Sequence, residues 1–306
     1  MNKDLLPPQN GRRQFINTSL KLAGSAALLN LPHLSNAAAV FAIRKDYTVQ
    51  DVIDIILKEI PGAPFKGTVD TIKSGNANNK VSGIVTTMFT TVPVIEAAAK
   101  LNANFIVAHE PIFYNHEDNI NFVPNNEVVK QKQQLLQQHN ITVWRFHDGW
   151  HVYKPDGILH GVLKNANWLP YYEPGKPVMK IPTASLKEIV AHLKSSLGIE
   201  QVQVEGNLNQ SCERIIMIPG AAGAEMQIGL VEKEKPDVLI VGELREWETA
   251  EYIRDSLAFG KKTSLIVLGH SQSEEPGMEW LVDWLQPKIP ELKVTHIASG
   301  NAFTWI

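Results

Sequence analysis

Short apolar runs alternate along this chain with longer stretches in which apolar residues recur three and four positions apart. The apolar runs predict strands at residues 81–87, 105–108, 141–146, 201–204, 214–218, 237–241, 264–268 and 292–298. The helical spacing predicts helices at residues 52–60, 92–101, 127–138, 186–197, 246–257 and 278–285. Residues 61–80 are rich in glycine, proline and asparagine and predict a loop. This alternation is typical of an α/β fold with parallel or mixed sheets covered by helices.

A stretch of turn-forming residues at 169–177 divides the pattern and marks a lobe boundary. We therefore predict two α/β lobes, residues 44–165 and 166–306, each with a mixed sheet flanked by helices. The last helix and strand of the chain are expected to return from the second lobe. Open sheets of this kind place their sites at the carboxyl ends of the strands, so polar residues at those ends are the candidates for function.

One predicted strand runs directly into His109, Glu110 and Pro111. Neighbouring residues on a regular strand point to opposite faces, but the proline breaks the strand and allows both side chains to turn toward one cleft. Taken alone, His109 and Glu110 also fit a solvated pair at the end of a strand.

Two further segments carry histidine and an acidic group at helical spacing. His147 and His151 follow the strand at 141–146, and Asp148 between them is placed to orient one imidazole through its second nitrogen. His270 and Glu274 follow the strand at 264–268 and share a face if a helix opens there. The first segment also fits an aromatic surface turn, and the second fits a helix with an acid in its first turn. Three strand ends of this composition together favour a metal site in the cleft between the lobes.

The first forty residues have the composition of an export signal. Arg12 and Arg13 precede a modestly apolar stretch, which ends in small residues at 37–39. This order predicts a twin-arginine signal peptide over residues 1–39, cleaved after Ala39 or, as a second choice, after Ala42. The other interpretation is an amphipathic helix with two arginines by chance. A signal of this type predicts a periplasmic or otherwise exported protein that is already folded when it crosses the membrane.

Composition narrows the remaining classes. The net charge of −3 over 306 residues gives no nucleic-acid footprint, and no other segment is apolar enough to span a membrane. A single cysteine, Cys212, excludes an intramolecular disulfide and a Cys-x-x-Cys site. No Gly-x-Ser-x-Gly motif is present, which disfavours a serine hydrolase. The turn at 219–223 fits either an anion cradle or tight strand–helix packing.

These segments, in this order, resemble the NIF-three-like dinuclear metal-centre family, also known as type-2 GTP cyclohydrolase homologues. The resemblance covers roughly residues 44–303 and rests on seven segments: 70–75, 83–101, 106–111, 147–151, 219–223, 241–243, and Gly269-His270 with Glu274. Three positions depart from the family pattern. Glu110 replaces the second histidine of a His-His-Pro motif, His151 falls at a ligand aspartate, and Trp247 falls where a histidine is common. Because the first two changes compensate, the set keeps three imidazoles and two carboxylates, which we interpret as a preserved total ligand charge.

The resemblance implies a set of roles for the candidate residues. It implies two divalent ions, of zinc, manganese, iron or nickel, held by His109, Glu110, His151, His270 and Glu274. Glu243 and His147 are the expected acid or base groups beside them. The implied function is metal-dependent hydrolysis of a small molecule, as in purine-nucleotide ring opening. The alternative is a non-catalytic periplasmic metal-binding or metal-handling protein. The family also implies a homo-oligomer in the form of a hexameric ring.

Overall fold

The strands of the described chain form two mixed five-stranded sheets. The computed structural model describes residues 46–304 and Ile306. The strands are β1 (Ile72–Ser74), β2 (Ile84–Thr87), β3 (Phe105–Ala108), β4 (Thr142–Arg145), β5 (Val178–Ser185), β6 (Gln203–Glu205), β7 (Ser211–Ile218), β8 (Val238–Val241), β9 (Ser264–Val267) and β10 (Val294–His296). The predicted signal peptide, residues 1–39, lies outside the described residues.

Helices cover the faces of both sheets. They are α1 (Val49–Lys58), α2 (Val92–Lys100), α3 (Glu127–Gln138), α4 (Asp148–Val152), α5 (Gly157–Asn165), α6 (Leu186–Leu197), α7 (Ala224–Glu234), α8 (Glu251–Ala258) and α9 (His270–Leu285). A π-helical turn, Glu246–Ala250, precedes α8. Thr48 and Asp51 form a capping box at the start of α1, in which each side chain accepts a hydrogen bond from the other's backbone N–H. Between residues 46 and 304 we find no helix with the length and apolar character that a bilayer span requires.

The first sheet has the order β1-β4-β3-β2-β10, and the second has the order β5-β7-β8-β9-β6. In each sheet the inner strands are parallel, while β1, β5 and β6 join at the edges in antiparallel orientation. Every residue of β2, β3, β4 and β8 is buried, as expected for parallel strands that are covered on both faces. The mixed α/β fold with two helix-flanked sheets is therefore confirmed. The lobe boundaries remain a prediction.

Four elements differ from the sequence expectation. The segment 61–80 is not all loop, because Ile72–Ser74 forms the edge strand β1 beside β4. The strand β5 and the helix α5 were not anticipated, and α9 begins eight residues before the predicted helix at 278. Strands such as β1 and β5 lie at sheet edges, where exposed polar residues and prolines are tolerated and the apolar signal is weak.

Helix α9 connects the two sheets. It starts where β9 of the second sheet ends, packs against α5, and leads into β10 of the first sheet. The hydroxyl of Thr86 in β2 donates to the carbonyl oxygen of Met278 at 2.8 Å and fixes the helix against the first sheet. The residues that follow β3, β4, β8 and β9 are thereby brought to one place.

Candidate metal centre

All five predicted metal ligands lie within one cluster. His109 and Glu110 follow β3, His151 lies in α4, and His270 and Glu274 occupy the first turns of α9. Glu274 Oε2 lies 3.6 Å from His109 Nε2 and 3.1 Å from His270 Nε2. Glu110 Oε1 lies 3.7 Å from His270 Nε2. Each carboxylate therefore stands beside imidazoles supplied by distant parts of the chain.

The cluster contains two overlapping groups whose ligand atoms are close enough to hold an ion. One group is His109, His147 and His151, and the other is His109, Glu110 and Glu274. In each group, one nitrogen or oxygen from every residue lies within 4.8 Å of those from the others. Imidazole nitrogen and carboxylate oxygen suit zinc, manganese, iron and nickel. The structure thus brings His147 to the site as closely as His151.

Each imidazole of the cluster has its Nδ1 atom tied to an oxygen that only accepts. The Nδ1 atom of His109 lies 3.2 Å from the carbonyl oxygen of Phe146. The other three contacts are His147 to Asp148 at 2.9 Å, His151 to Asp156 at 2.9 Å, and His270 to Glu243 at 3.2 Å. Since carbonyl and carboxylate oxygens carry no proton, Nδ1 is the donor in every case. Nε2 is then the nitrogen available to a metal, which is the arrangement that metal-ligating histidines adopt. In the metal-free protein Nε2 of His270 lies 3.1 Å from Glu274 Oε2 and donates a proton to it, so a metal ion at this nitrogen would displace that proton.

His109 gives the strongest test of whether a metal fits. Its side chain is completely buried, yet its Nε2 atom has no hydrogen-bond partner among the described residues. A buried polar atom without a partner is costly unless a ligand satisfies it. Burial lowers the pKa of His109 well below 6.5, so the imidazole is neutral and able to coordinate. The residues present therefore fit a metal ion.

The charge on each of the other predicted ligands depends on its charged neighbours. Burial disfavours a charged His270, but its hydrogen bonds with Glu243 and Glu274 outweigh burial and raise its pKa to about 10. Burial also acts against a charged His151, whose pKa is raised overall by its hydrogen bond with Asp156. For Glu110, burial is outweighed by the hydrogen bond with His147 and by nearby positive charges, which lower its pKa. In the metal-free protein, protonated imidazoles therefore supply positive charge beside the carboxylates.

The turn that carries His147 is held by a carboxylate from far along the chain. Asp70 accepts hydrogen bonds from the backbone N–H groups of His147, Asp148 and Gly149, at 2.7, 2.9 and 2.7 Å. The side chain of Asp148 is held in turn by the hydroxyl of Thr68 at 2.7 Å. The segment 70–75, which sequence marked only by resemblance, thus supports the start of α4.

Gly220, two residues after the end of β7, leaves space for the side chain of Glu274. Its φ is +69°, and a Cβ atom there would lie 2.1 Å from Glu274 Oε1. The Gly220 N–H donates to the hydroxyl of Ser273 at 2.9 Å, which fixes the turn against α9. Close packing against the helix explains this glycine, whereas residues 221–223 are exposed.

One side of the cluster is open to solvent. The side chains of His109 and Glu274 are 0% and 4% exposed, while those of His270 and Glu243 are 19% and 55% exposed. His147, the other predicted acid–base residue, is 20% exposed. A site that is buried on one side and open on the other suits catalysis, which requires a position for substrate. Trp247 is 73% exposed.

Sequence reasoning missed four residues around the cluster. The carboxylate of Asp156 accepts a hydrogen bond from His151 Nδ1. Arg145 and Asp118 form a buried ion pair next to Glu110. The ring of His116 packs edge-on against that of His147, with 5.7 Å between the ring centroids. Asp156 has a local signal, because an aspartate before an apolar helical run is a typical N-cap, and it does cap α5. The other three give no local signal, because their partners lie far away in sequence or in an irregular loop.

Comparison with known proteins assigns the family. The model of the Duf34/NIF3 family (NGG1p interacting factor 3) matches residues 48–302. The chain belongs to the Duf34/NIF3 family. The match spans both sheets and every residue of the cluster, and it confirms the resemblance expected from the sequence motifs.

Individual relatives of this family are distant. The GTP cyclohydrolase 1 type 2 homolog of Clostridium perfringens (strain 13 / Type A) is 22% identical over 240 residues, which are 74% of this chain and 87% of that protein. Staphylococcus aureus hypothetical protein SA1388 is 16% identical with a TM-score of 0.68, over 86% of this chain and 99% of that one. A Bacillus cereus protein related to NIF3 is 12% identical with a TM-score of 0.67, over 86% and 99%. At these identities the solved structures show that the fold is shared.

Proposed function

We propose that this protein binds two divalent metal ions at the histidine–carboxylate cluster and uses them to hydrolyse a small molecule. The observation that carries the proposal is the arrangement of the four imidazoles. Each is held at Nδ1 by an acceptor, which leaves Nε2 as the nitrogen for a metal, and the buried Nε2 of His109 has no hydrogen-bond partner among the described residues. His109 Nε2 serves only one ion, and the other imidazoles together with Glu110 and Glu274 are enough donors for a second ion beside it.

The predicted ligands His109, Glu110, His151, His270 and Glu274 would hold the metal. Divalent ions bound side by side polarise the substrate and lower the pKa of water, which makes hydrolysis possible at neutral pH. His147 is placed to move a proton, because Asp148 holds its Nδ1 while its Nε2 lies 3.4 Å from Glu110 Oε1 on the open side. Glu243 orients His270 and, being half exposed, is able to receive a proton from substrate.

The substrate class follows from the named relative. The Clostridium perfringens protein is described as a GTP cyclohydrolase 1 type 2 homolog, so we propose ring-opening hydrolysis of a cyclic amidine such as a purine nucleotide. An exported protein would meet such a substrate outside the cytoplasm, which favours a scavenged nucleotide or a related cyclic amide.

Metal-loaded protein tests this proposal directly. We expect loss of the ultraviolet band of GTP, or turnover in a panel of cyclic amides, only after reconstitution with zinc, manganese, iron or nickel. At saturating metal, the His147→Ala and Glu243→Ala variants should lose about 10²- to 10⁴-fold in kcat, since acid–base groups contribute on that scale. His139→Ala is the control, because His139 is an exposed residue at the end of α3.

The opposite result has a specific meaning. Tightly bound metal without turnover of any tested substrate would reject the hydrolase and favour the metal-handling alternative. That alternative also predicts rapid exchange of the ions with a chelator, whereas a buried ligand such as His109 predicts slow exchange.

We also propose that the chain is exported by the twin-arginine route and assembles as a hexameric ring. The paired arginines and the small-residue end of residues 1–39 support the first proposal, and the family resemblance supports the second. Replacing both Arg12 and Arg13 by lysine should leave the precursor in the cytoplasm, and light scattering on the mature protein should give six chains. Unimpaired export of that variant, or a monomer in solution, would reject the respective proposal.

A further inference from the structure

Arg145, the last residue of β4, is completely buried beneath the cluster. Its Nε atom donates to the carbonyl oxygen of His109 at 3.0 Å, and its Nη1 atom donates to the carbonyl oxygen of His116. Nη1 also lies 3.6 Å from Asp118 Oδ2, so an acidic partner balances part of its charge. A guanidinium stays charged in proteins, and its planar fork fixes the direction of each donor.

The remaining nitrogen of Arg145 points at Glu110. Nη2 lies 3.5 Å from Glu110 Oε2 and has no hydrogen-bond partner among the described residues. The other carboxylate oxygen, Oε1, faces the opposite way, 3.4 Å from His147 Nε2 and 3.7 Å from His270 Nε2. The two oxygens of Glu110 are thus divided between a buried cation and the open cluster.

We propose that Arg145 is a positioning residue that holds Glu110 Oε2, so that Glu110 serves the metal through Oε1 alone. The inference rests on the proposed metal binding and adds how this chain uses a glutamate at that position. A carboxylate that is free on both sides is able to chelate one ion through two oxygens. When Arg145 holds Oε2, only Oε1 remains to coordinate the ion, and the position that Oε2 would take stays available for water or substrate.

The same guanidinium also fixes the backbone around the turn. Its contacts with the carbonyl oxygens of His109 and His116 lie on either side of Pro111. This clamp explains why two neighbouring residues both face the cluster, although successive side chains on a strand point to opposite faces. Lysine keeps the charge but lacks the fork, so Arg145→Lys removes the geometry with little change in charge.

Cobalt titration of the Arg145→Lys variant tests the inference. We expect Co²⁺ to bind about 10- to 100-fold more weakly than to wild type, which is the usual effect of removing a group that orients a ligand. We also expect a weaker visible absorption band, because Glu110 would chelate through both oxygens and raise the coordination number of the ion.

Lys132→Met is the matched control. Lys132 is a second buried cation next to the loop of residues 109–118. Its Nζ donates to the carbonyl oxygen of Ile112 at 2.7 Å, and no contact with Glu110 is found in the described structure. If Arg145 acted only by packing the loop, Lys132→Met would weaken Co²⁺ binding and change the spectrum to the same extent. We expect wild-type affinity and a wild-type spectrum.

Coupling to Glu110 separates positioning from general stabilisation. In a Glu110→Gln background, Arg145→Lys should change Co²⁺ affinity by no more than about twofold, because the carboxylate through which Arg145 acts has been removed. Independent effects would add, and the loss would then stay close to its full size. A full 10- to 100-fold loss in that background would overturn the inference.

An infrared measurement covers the case in which Arg145→Lys does not fold. The metal-induced difference spectrum of wild type, compared with that of Glu110→Gln, reports the carboxylate stretches of Glu110. A wide splitting, typical of coordination through one oxygen, is expected, and the narrow splitting of a chelating carboxylate would overturn the inference. Absence of Co²⁺ binding by wild type would instead reject the proposed metal centre and this inference with it.

Discussion

Gly220→Ala should distinguish an effect on metal binding from an effect on stability. Gly220 lies against the proposed ligand Glu274, and a second glycine with nearly the same backbone φ, far from any such contact, provides the control. A new Cβ atom at this position would lie 2.1 Å from Glu274 Oε1 and 2.7 Å from its carboxyl carbon. Since Cβ contacts below 3.0 Å essentially never occur, the carboxylate must move by about 0.9 Å or more. Metal sites require ligand distances to hold within about 0.2 Å, so this displacement would remove Glu274 from the coordination that we propose for it.

The backbone contributes a second effect that can be measured by itself. Gly220 has a φ of +69°, and a non-glycine residue in the left-handed region costs roughly 1–2 kcal/mol. Gly198 has a φ of +66° and caps the end of α6, and a Cβ atom added to it would meet no other atom within 4 Å. Gly198→Ala should therefore lose the same free energy of unfolding as Gly220→Ala without a change at the cluster.

The assay is a chelator-competition titration with Zn²⁺, together with urea unfolding of the metal-free proteins. We expect both variants to lose about 1–2 kcal/mol of stability. Only Gly220→Ala should lose Zn²⁺ affinity, by about tenfold or more, comparable to the loss of an orienting contact. Wild-type Zn²⁺ affinity in Gly220→Ala would refute the reasoning, because it would show that Glu274 is not needed where the structure places it.

Three further perturbations test separate parts of the structure. The pKa of His270 is raised to about 10 in the folded metal-free protein, so the stability that it contributes is complete below pH 6.5 and is lost as the pH rises toward 10. The free energy of unfolding, measured across this range, should therefore decline in wild type but not in His270→Gln. Asp156→Asn should weaken Zn²⁺ binding about tenfold with little change in stability, because asparagine still caps α5 but lacks the negative charge that holds His151 Nδ1. An unchanged Zn²⁺ affinity would contradict this. Gly161→Ala should cost about 1–3 kcal/mol, because its Cβ would lie 2.3 Å from the backbone oxygen of Pro276 in α9; Gly229→Ala, in open space on α7, should not destabilise the protein.

The sequence alone predicts the fold class and the candidate ligand segments, because both depend on local patterns. Buried parallel strands are continuous apolar runs, and His109, His147 and His270 each follow such a run. Pairs four residues apart, such as His270 and Glu274, need only a helical turn to converge, and α9 supplies it. The alternatives that treated each segment as surface structure do not account for the burial of His109 and Glu274.

The supporting contacts could not be predicted, because they join distant positions through irregular backbone. Asp70 lies in a segment whose composition predicts a loop, yet its carboxylate accepts a hydrogen bond from the backbone N–H of His147, 77 positions away in the sequence. Arg145 has the sequence signature of a surface cation at a strand end, and only the fold reveals that it is completely buried. Glu243 was predicted as an acid–base residue, and the structure adds that it orients His270. Its catalytic role stays a prediction.

The number of metal ions per chain tests the central claim most directly. Elemental analysis should be made on protein reconstituted with zinc or manganese, alongside His270→Ala and the control His139→Ala. We predict about two ions per chain for wild type and for the control, and a loss in His270→Ala. One ion would contradict the dinuclear centre. No retained metal, or wild-type content in His270→Ala, would contradict the assignment of this cluster as the metal site.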